Sequence, residues 1–342
     1  MTDRRTFIKT GAFAGVGLFT SGWVSGNVSE PVKKGLRVGI IGLDTSHSTA
    51  FTRLFNNDQA SDYGGYKVVA AYPYGSRDIK SSVDRIPGYI EEVKKMGVEI
   101  VDSIKALLKK VDFVLLETND GRPHLEQALE VFRAGKPVFI DKPVAASLTD
   151  AISIYQAAGK FKVPVFSASS LRYMSNMDDI LKKQSIGKIL GADTFSPCAL
   201  EETHPDFFWY GIHGVEALFT VMGVGCKTVS RVHTPGADVT TGIWNDQRIG
   251  TFRGIRTGKT GYGGYAFGEK GIKPLGDYNG YIPLVKEIVK FFQTGIAPVT
   301  PEETLEIFSF MEAADESKRR NGASVDIQEI REKALSKVKK TW

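Results

Sequence analysis

The chain has 342 residues, 42% hydrophobic and 24% charged, with a formal charge of +5. That length points to two domains with sizeable cores, and the composition is that of a globular protein, which sets aside the disordered and fibrous classes. The excess of Lys and Arg sits partly at the two ends, with no basic block interleaved with aromatics, so no footprint for nucleic acid is present.

At the start, DRRTFIKTGAFAGVGLFTSGWVSG carries Arg4 and Arg5 ahead of a mildly apolar Gly/Ala-rich run. It is similar to a twin-arginine export signal, and it is too short and glycine-rich for a comfortable membrane span. Residues 1–32 are therefore expected to be a leader and the protein periplasmic. That route carries folded proteins, so a nucleotide used outside the cytoplasm would have to travel tightly bound. Cys198 and Cys226 form no metal or redox motif; a disulfide and two buried thiols both remain open.

From residue 36, strand-like and helix-like segments alternate. KGLRVGII leads into SHSTAFTRLFNN, YKVVAAY into the mostly helical SVDRIPGYIEEVKKMG, and VEIVDS into SIKALLKKV. DFVLLET precedes the helix HLEQALEVFRAG, KPVFIDKP precedes DAISIYQAAGKFK, and VPVFSAS completes the series. Near-continuously apolar strands separated by helices predict a parallel sheet covered on both faces, a Rossmann-like domain over residues 33–165.

Beyond residue 185 the texture changes. GKILGADTF, KTVSRVHT, VTTGIWN and RIGTFRGIR read as longer antiparallel strands, interrupted by one helix, GIHGVEALFTVMG. RTGKTGYGGYAFGEKG reads as loop or edge strand. IPLVKEIVKFFQTG and TPEETLEIFSFMEAADESKRRNG close the chain as amphipathic helices, the second capped by Thr300 with Pro301 in its first turn. Residues 166–342 are thus expected to form an α+β domain with a large, mostly antiparallel open sheet. The fold class is α/β.

The turn after the first strand, GLDTSHS, stands where a dinucleotide-binding domain has its glycine-rich loop. Only Gly42 is retained; Asp44 and His47 occupy the second and third glycine positions. An aspartate there brings bulk and negative charge to a phosphate site, unless its carboxylate accepts the first N–H groups of the following helix, with Thr45 and Ser46 as competing caps.

At TNDGRPHLEQALEVFRAGKPVFIDKP the chain resembles the Gfo/Idh/MocA oxidoreductases, with Asp141-Lys142-Pro143 in place of the family's Glu-Lys-Pro. The resemblance runs over residues 36–335. It implies hydride transfer between NADP or NAD and a sugar, glycoside or polyol carbon, and homo-oligomers formed through the second-domain sheet. It implies that Lys142 binds the reacting hydroxyl with Asp141 orienting it, and that His213 acts as acid or base. The aspartate usual four residues before that histidine is Trp209 here, leaving Glu216 or Asp206 as its replacement partner. It places Gly42, Asp44, Thr45, Ser46, His47, Thr118, Asn119 and His124 around the cofactor, His124 more as a structural group. Ser76 and Arg77 follow the second strand, where a Ser-Arg pair suits a 2′-phosphate. Arg172, Trp209 and Tyr210 are the substrate candidates.

A non-redox reading stays beside this one: a carbohydrate lyase, hydrolase or binding protein on the same fold, with metal assistance open. Glu201, Glu202, His204, Asp206 and His213, joined by Asp44 and His47, have the residue types for a divalent cation. Their spacing matches no metal motif, and no metal ligand is assigned.

Overall fold

The structure, a computed structural model, describes residues 35–57 and 60–339. The expected leader lies outside these residues. Among the described residues no helix is long and apolar enough to cross a membrane.

The N-terminal half alternates as expected: β1 (Arg37–Ile41), α1 (Ser46–Asn56), β2 (Lys67–Tyr72), α2 (Lys80–Val83), α3 (Ile86–Lys95), β3 (Glu99–Ile100), α4 (Ile104–Leu108), β4 (Phe113–Leu116), α5 (His124–Arg133), β5 (Val138–Ile140), α6 (Leu148–Phe161) and β6 (Val165–Phe166). The six strands pair in parallel in the order β3-β2-β1-β4-β5-β6. This is the doubly wound arrangement, whose ligand crevice lies at the carboxyl ends of the strands where the order reverses, here between β1 and β4. The helical stretch after β2 is divided into α2 and α3, with Pro87 in the first turn of α3, where its missing N–H costs nothing.

The second half follows as α7 (Met177–Leu181), β7 (Ile189–Pro197), α8 (Ile212–Met222), β8 (Cys226–Thr234), β9 (Ala237–Trp244), β10 (Ile249–Ile255), β11 (Gly263–Gly268), β12 (Gly271–Pro274), α9 (Ile282–Thr294), α10 (Pro301–Arg319), β13 (Val325–Asp326) and α11 (Ile327–Lys337). Its sheet has seven strands in the order β12-β11-β7-β10-β9-β8-β13. β10 runs parallel to β7, the one departure from antiparallel pairing among them. β11 corrects the loop-or-edge reading of its glycine-rich segment, because it lies between β7 and β12. Its glycines permit that position: a Cβ on Gly264 would stand 2.3 Å from the carbonyl oxygen of Asp193.

α8 and α10 cover one face of this sheet, Phe219, Phe308 and Phe310 of the helices sharing a core with Phe252 of β10. α9 returns to the first sheet, where Leu284, Ile288 and Phe291 pack with Val38, Phe51 and Phe139. Thr300 caps α10 as expected, its Oγ1 accepting the Glu303 N–H at 3.1 Å. Cys198 and Cys226 are buried free thiols.

Arg231 on β8 is fully buried beneath α10, where its guanidinium donates to Asp238 (2.8 Å), Asp315 (2.5 Å) and Asp206 (2.5 Å) and lies over the Phe207 ring. Removing the cation would leave Asp315 without its ion-pair partner and leave Asp206 and Asp238 to Lys318 and Arg256, the costly way to break a buried network. Arg231→Met is expected to lower stability by about 3–5 kcal/mol, read from denaturant unfolding; a loss below about 1 kcal/mol would show that the carboxylates find other partners.

Candidate functional site

Three loops meet over the carboxyl end of β1. Gly42 has φ +93°, and a Cβ on it would stand 2.6 Å from the Thr118 amide nitrogen, so only glycine lets the first loop pass the end of β4. Asp44 is fully buried and turned away from α1: its carboxylate accepts the N–H groups of Ser76 (2.8 Å) and Asn119 (2.9 Å). The cap of α1 is Thr45, whose Oγ1 accepts the His47 N–H at 3.4 Å. The reading in which Asp44 caps the helix is corrected. Its charge is spent holding the exits of β2 and β4 together, and the first turn of α1 opens on a cleft of about 440 Å³.

Thr45, Ser46, His47, Asn119 and Lys142 line that cleft together with Trp209, Tyr210, His213, Tyr262, Tyr278 and Tyr281. The structure thus brings Lys142 and His213 together. The Lys142 ammonium has no hydrogen-bond partner among the described residues, and Asp141 does not orient it. Asp141, at the end of β5, pairs instead with His47, Oδ2 lying 2.7 Å from Nδ1. Burial raises the Asp141 pKa, but the His47 and Lys142 charges outweigh it and hold the carboxyl below its usual range.

His213 is in the first turn of α8, with Nδ1 2.8 Å from Ser169 Oγ. Tyr210 and Tyr262 present ring edges to the imidazole, and their hydroxyls are 3.1 Å apart. Burial, then the positive charge of Lys142, depresses the His213 pKa well below the ordinary 6.5. The imidazole is therefore neutral at pH 7 and fit to accept a proton.

Several expected roles change. Glu216 does not face His213, because it is held by Arg172, which also binds Glu303 at 2.6 Å. That buried cluster removes Arg172 from the substrate candidates. Asp206 is taken by Arg231 and Lys318. His124 is not at the cofactor cleft: it is fully buried, with Nε2 2.8 Å from the Thr118 carbonyl and Nδ1 3.2 Å from that of Val144. Thr118 is likewise buried, its hydroxyl donating to Gln127 Oε1 at 2.9 Å. Ser76 is buried behind Asp44, while Arg77 lines a second cavity of about 400 Å³ with Tyr72, Tyr74 and Arg122.

The proposed cation residues do not gather: His204 pairs with Asp120 at 3.2 Å, far in role from His213. His47 instead lies close to Asp141 and to Glu117, the residue that ends DFVLLE. No motif in the sequence singles out Glu117, although a carboxylate closing an otherwise apolar strand is a signal. Tyr278, Tyr281 and Arg85, all lining the cleft, carried no such signal.

Residues 36–169 match the sequence model of GFO_IDH_MocA, described as an oxidoreductase family with an NAD-binding Rossmann fold. No curated protein matches the chain by sequence. Among solved structures it is similar to scyllo-inositol dehydrogenase from Lactobacillus casei, bound to NAD(H) and scyllo-inositol, at 16% identity and a TM-score of 0.70 over 86% of this chain and 99% of that one. A probable dehydrogenase from Thermotoga maritima is similar at 19% identity and 0.70, over 86% and 100%. The myo-inositol 2-dehydrogenase from Lactobacillus plantarum is similar at 17% and 0.69, over 86% and 99%. At these identities the structural likeness establishes the fold. Residues 36–169 thus match the Gfo/Idh/MocA family's NAD-binding Rossmann domain, and the likeness of the whole chain to solved structures is one of fold.

Proposed function

We propose that the protein is an NAD(P)-dependent oxidoreductase acting on a hydroxyl carbon of a sugar, glycoside or polyol. The observation that carries this reading is the pairing of Lys142 and a neutral His213 in one aromatic-walled cleft, beside the first turn of α1. The residues present fit a dinucleotide. The carboxylate at the second glycine position points away from the cleft, and an open helix start is a ready site for phosphate. Ser46, Asn119 and Lys142 would hold the nicotinamide half, and Arg77 with Tyr74 the adenosine half.

When bound, the dinucleotide supplies the hydride acceptor. Lys142 binds the substrate hydroxyl and stabilises negative charge growing on its oxygen. His213, hydrogen-bonded through Nδ1 with Ser169 Oγ, would use Nε2 to take the hydroxyl proton as the carbonyl forms. Trp209 and the tyrosines offer flat apolar faces for a sugar ring. The outward sheet face, with Val232, Ile249, Tyr265 and Ile272 exposed, suits pairing with another copy. With the twin-arginine segment, this reading places the reaction in the periplasm with a tightly held nucleotide.

A non-redox carbohydrate reading draws on one observation. The cavity lined by Gly75 and Arg77 is separate from the cleft lined by Lys142 and His213. The deciding experiment denatures the purified protein and measures released nucleotide by mass spectrometry. NAD or NADP is expected. Its absence, with no binding of either at millimolar concentration, would sink the redox reading.

Lys142→Met should lower kcat/KM by about 10²–10³-fold with thermal stability retained. An unchanged rate would remove Lys142 from the chemistry. Because the depressed His213 pKa leaves the base unprotonated at and above pH 6.5, kcat/KM for alcohol oxidation should lose its His213-dependent rate only below pH 6.5. A pH profile whose acidic limb lies above 6.5 and disappears in His213→Asn would contradict this.

A further inference from the structure

Behind Lys142, three side chains from separate elements meet under the cleft floor. Glu117 follows β4, Asp141 follows β5, and His47 is in the first turn of α1. One donor atom from each lies within 4.8 Å of the others, and all three residues are buried. Neither carboxylate oxygen of Glu117 has a hydrogen-bond partner, nor has Asp141 Oδ1. Three buried oxygens unpaired in one place are costly unless a cation or donor meets them.

We propose that His47, Glu117 and Asp141 form a site for a divalent cation of the Zn²⁺ or Mn²⁺ type. One imidazole nitrogen with two carboxylate oxygens is a donor set for such borderline ions, harder than the thiolate sites of structural zinc and softer than an all-oxygen calcium cage. Metal–donor bonds of about 2.0–2.2 Å allow two donors on one ion to stand up to about 4.4 Å apart, so the cluster closes on an ion with shifts of a few tenths of an ångström. The His47–Asp141 hydrogen bond is then exchanged for two coordinate bonds.

Charge favours the same ion. A bound dication offsets the charge of the two carboxylates while engaging the orphaned oxygens. Lys142 is a single ammonium whose side chain lines the cleft. The His47 ring is held for the purpose, stacked on Phe51 at 5.4 Å and met edge-on by Tyr281 at 4.8 Å. His47 also lines the cleft, which provides a route of entry and an open position for water. The ion braces the start of α1 against the ends of β4 and β5 and positions Lys142. The site does not depend on hydride transfer being the reaction.

The test uses the folded protein, stripped with a chelator, incubated with Zn²⁺ or Mn²⁺ and desalted into metal-free buffer. Elemental analysis should find one equivalent of at least one of the two ions per chain, and thermal unfolding should shift upward with that ion present. Glu117→Gln preserves shape but removes a charged ligand, and should weaken retention by about tenfold or more and abolish the shift. If that variant does not fold, His47→Gln makes the same comparison, and the metal content of the unmodified protein stands without either. Metal content near zero with both ions, or equal retention by Glu117→Gln, would overturn the site and leave the carboxylates sharing a proton.

Discussion

The whole end of the first sheet depends on one buried carboxylate. Asp44 accepts an N–H from the β2 exit and another from the β4 exit, and so closes two loops over the end of β1. In a dry environment a carboxylate with two backbone donors is well satisfied, and removing either donor would leave it in debt for desolvation. Gly42 and Gly75 are needed beside it because a Cβ on either would collide with Thr118. The strand order, the turn and the charge therefore agree on a single arrangement.

That arrangement leaves α1 free to face the cleft and sends His47 toward Asp141. The cleft lining therefore combines Lys142 and His47, the latter paired with Asp141 behind it, with the aromatic rings of Tyr210, Tyr262 and Tyr281. Burial, and after it the charge of Lys142, depresses the proton affinity of His213, so cation and base do not compete for the same protonation state at neutral pH. In the proposed reaction a hydroxyl placed between them would meet one group to stabilise an oxyanion and another to take its proton.

Elsewhere, buried charge is structural. Arg231 gathers Asp206, Asp238 and Asp315 under α10, and Arg172 ties Glu216 to Glu303. Both networks took residues that the sequence offered as catalytic or substrate-binding. Each lies within a few positions of the site along the chain, but its partner comes from α8 or α10, or from a strand, dozens of residues away. Local spacing shows that an arginine or carboxylate is present, and says nothing of which distant charge will neutralise it.

What the sequence determined by itself was the periodicity: apolar strands alternating with helices, the change to longer strands beyond residue 185, the Thr300 cap, and the Asp141-Lys142-Pro143 segment that carries the family resemblance. These are local properties, set by side-chain period and by neighbouring residues. Only the tertiary structure decided where Asp44 points, that β11 lies inside its sheet, that Glu117 stands beside His47 and Asp141, and that Lys142 and His213 share a cleft. Those outcomes depend on the desolvation of charge, which is settled by atoms brought together from remote parts of the chain.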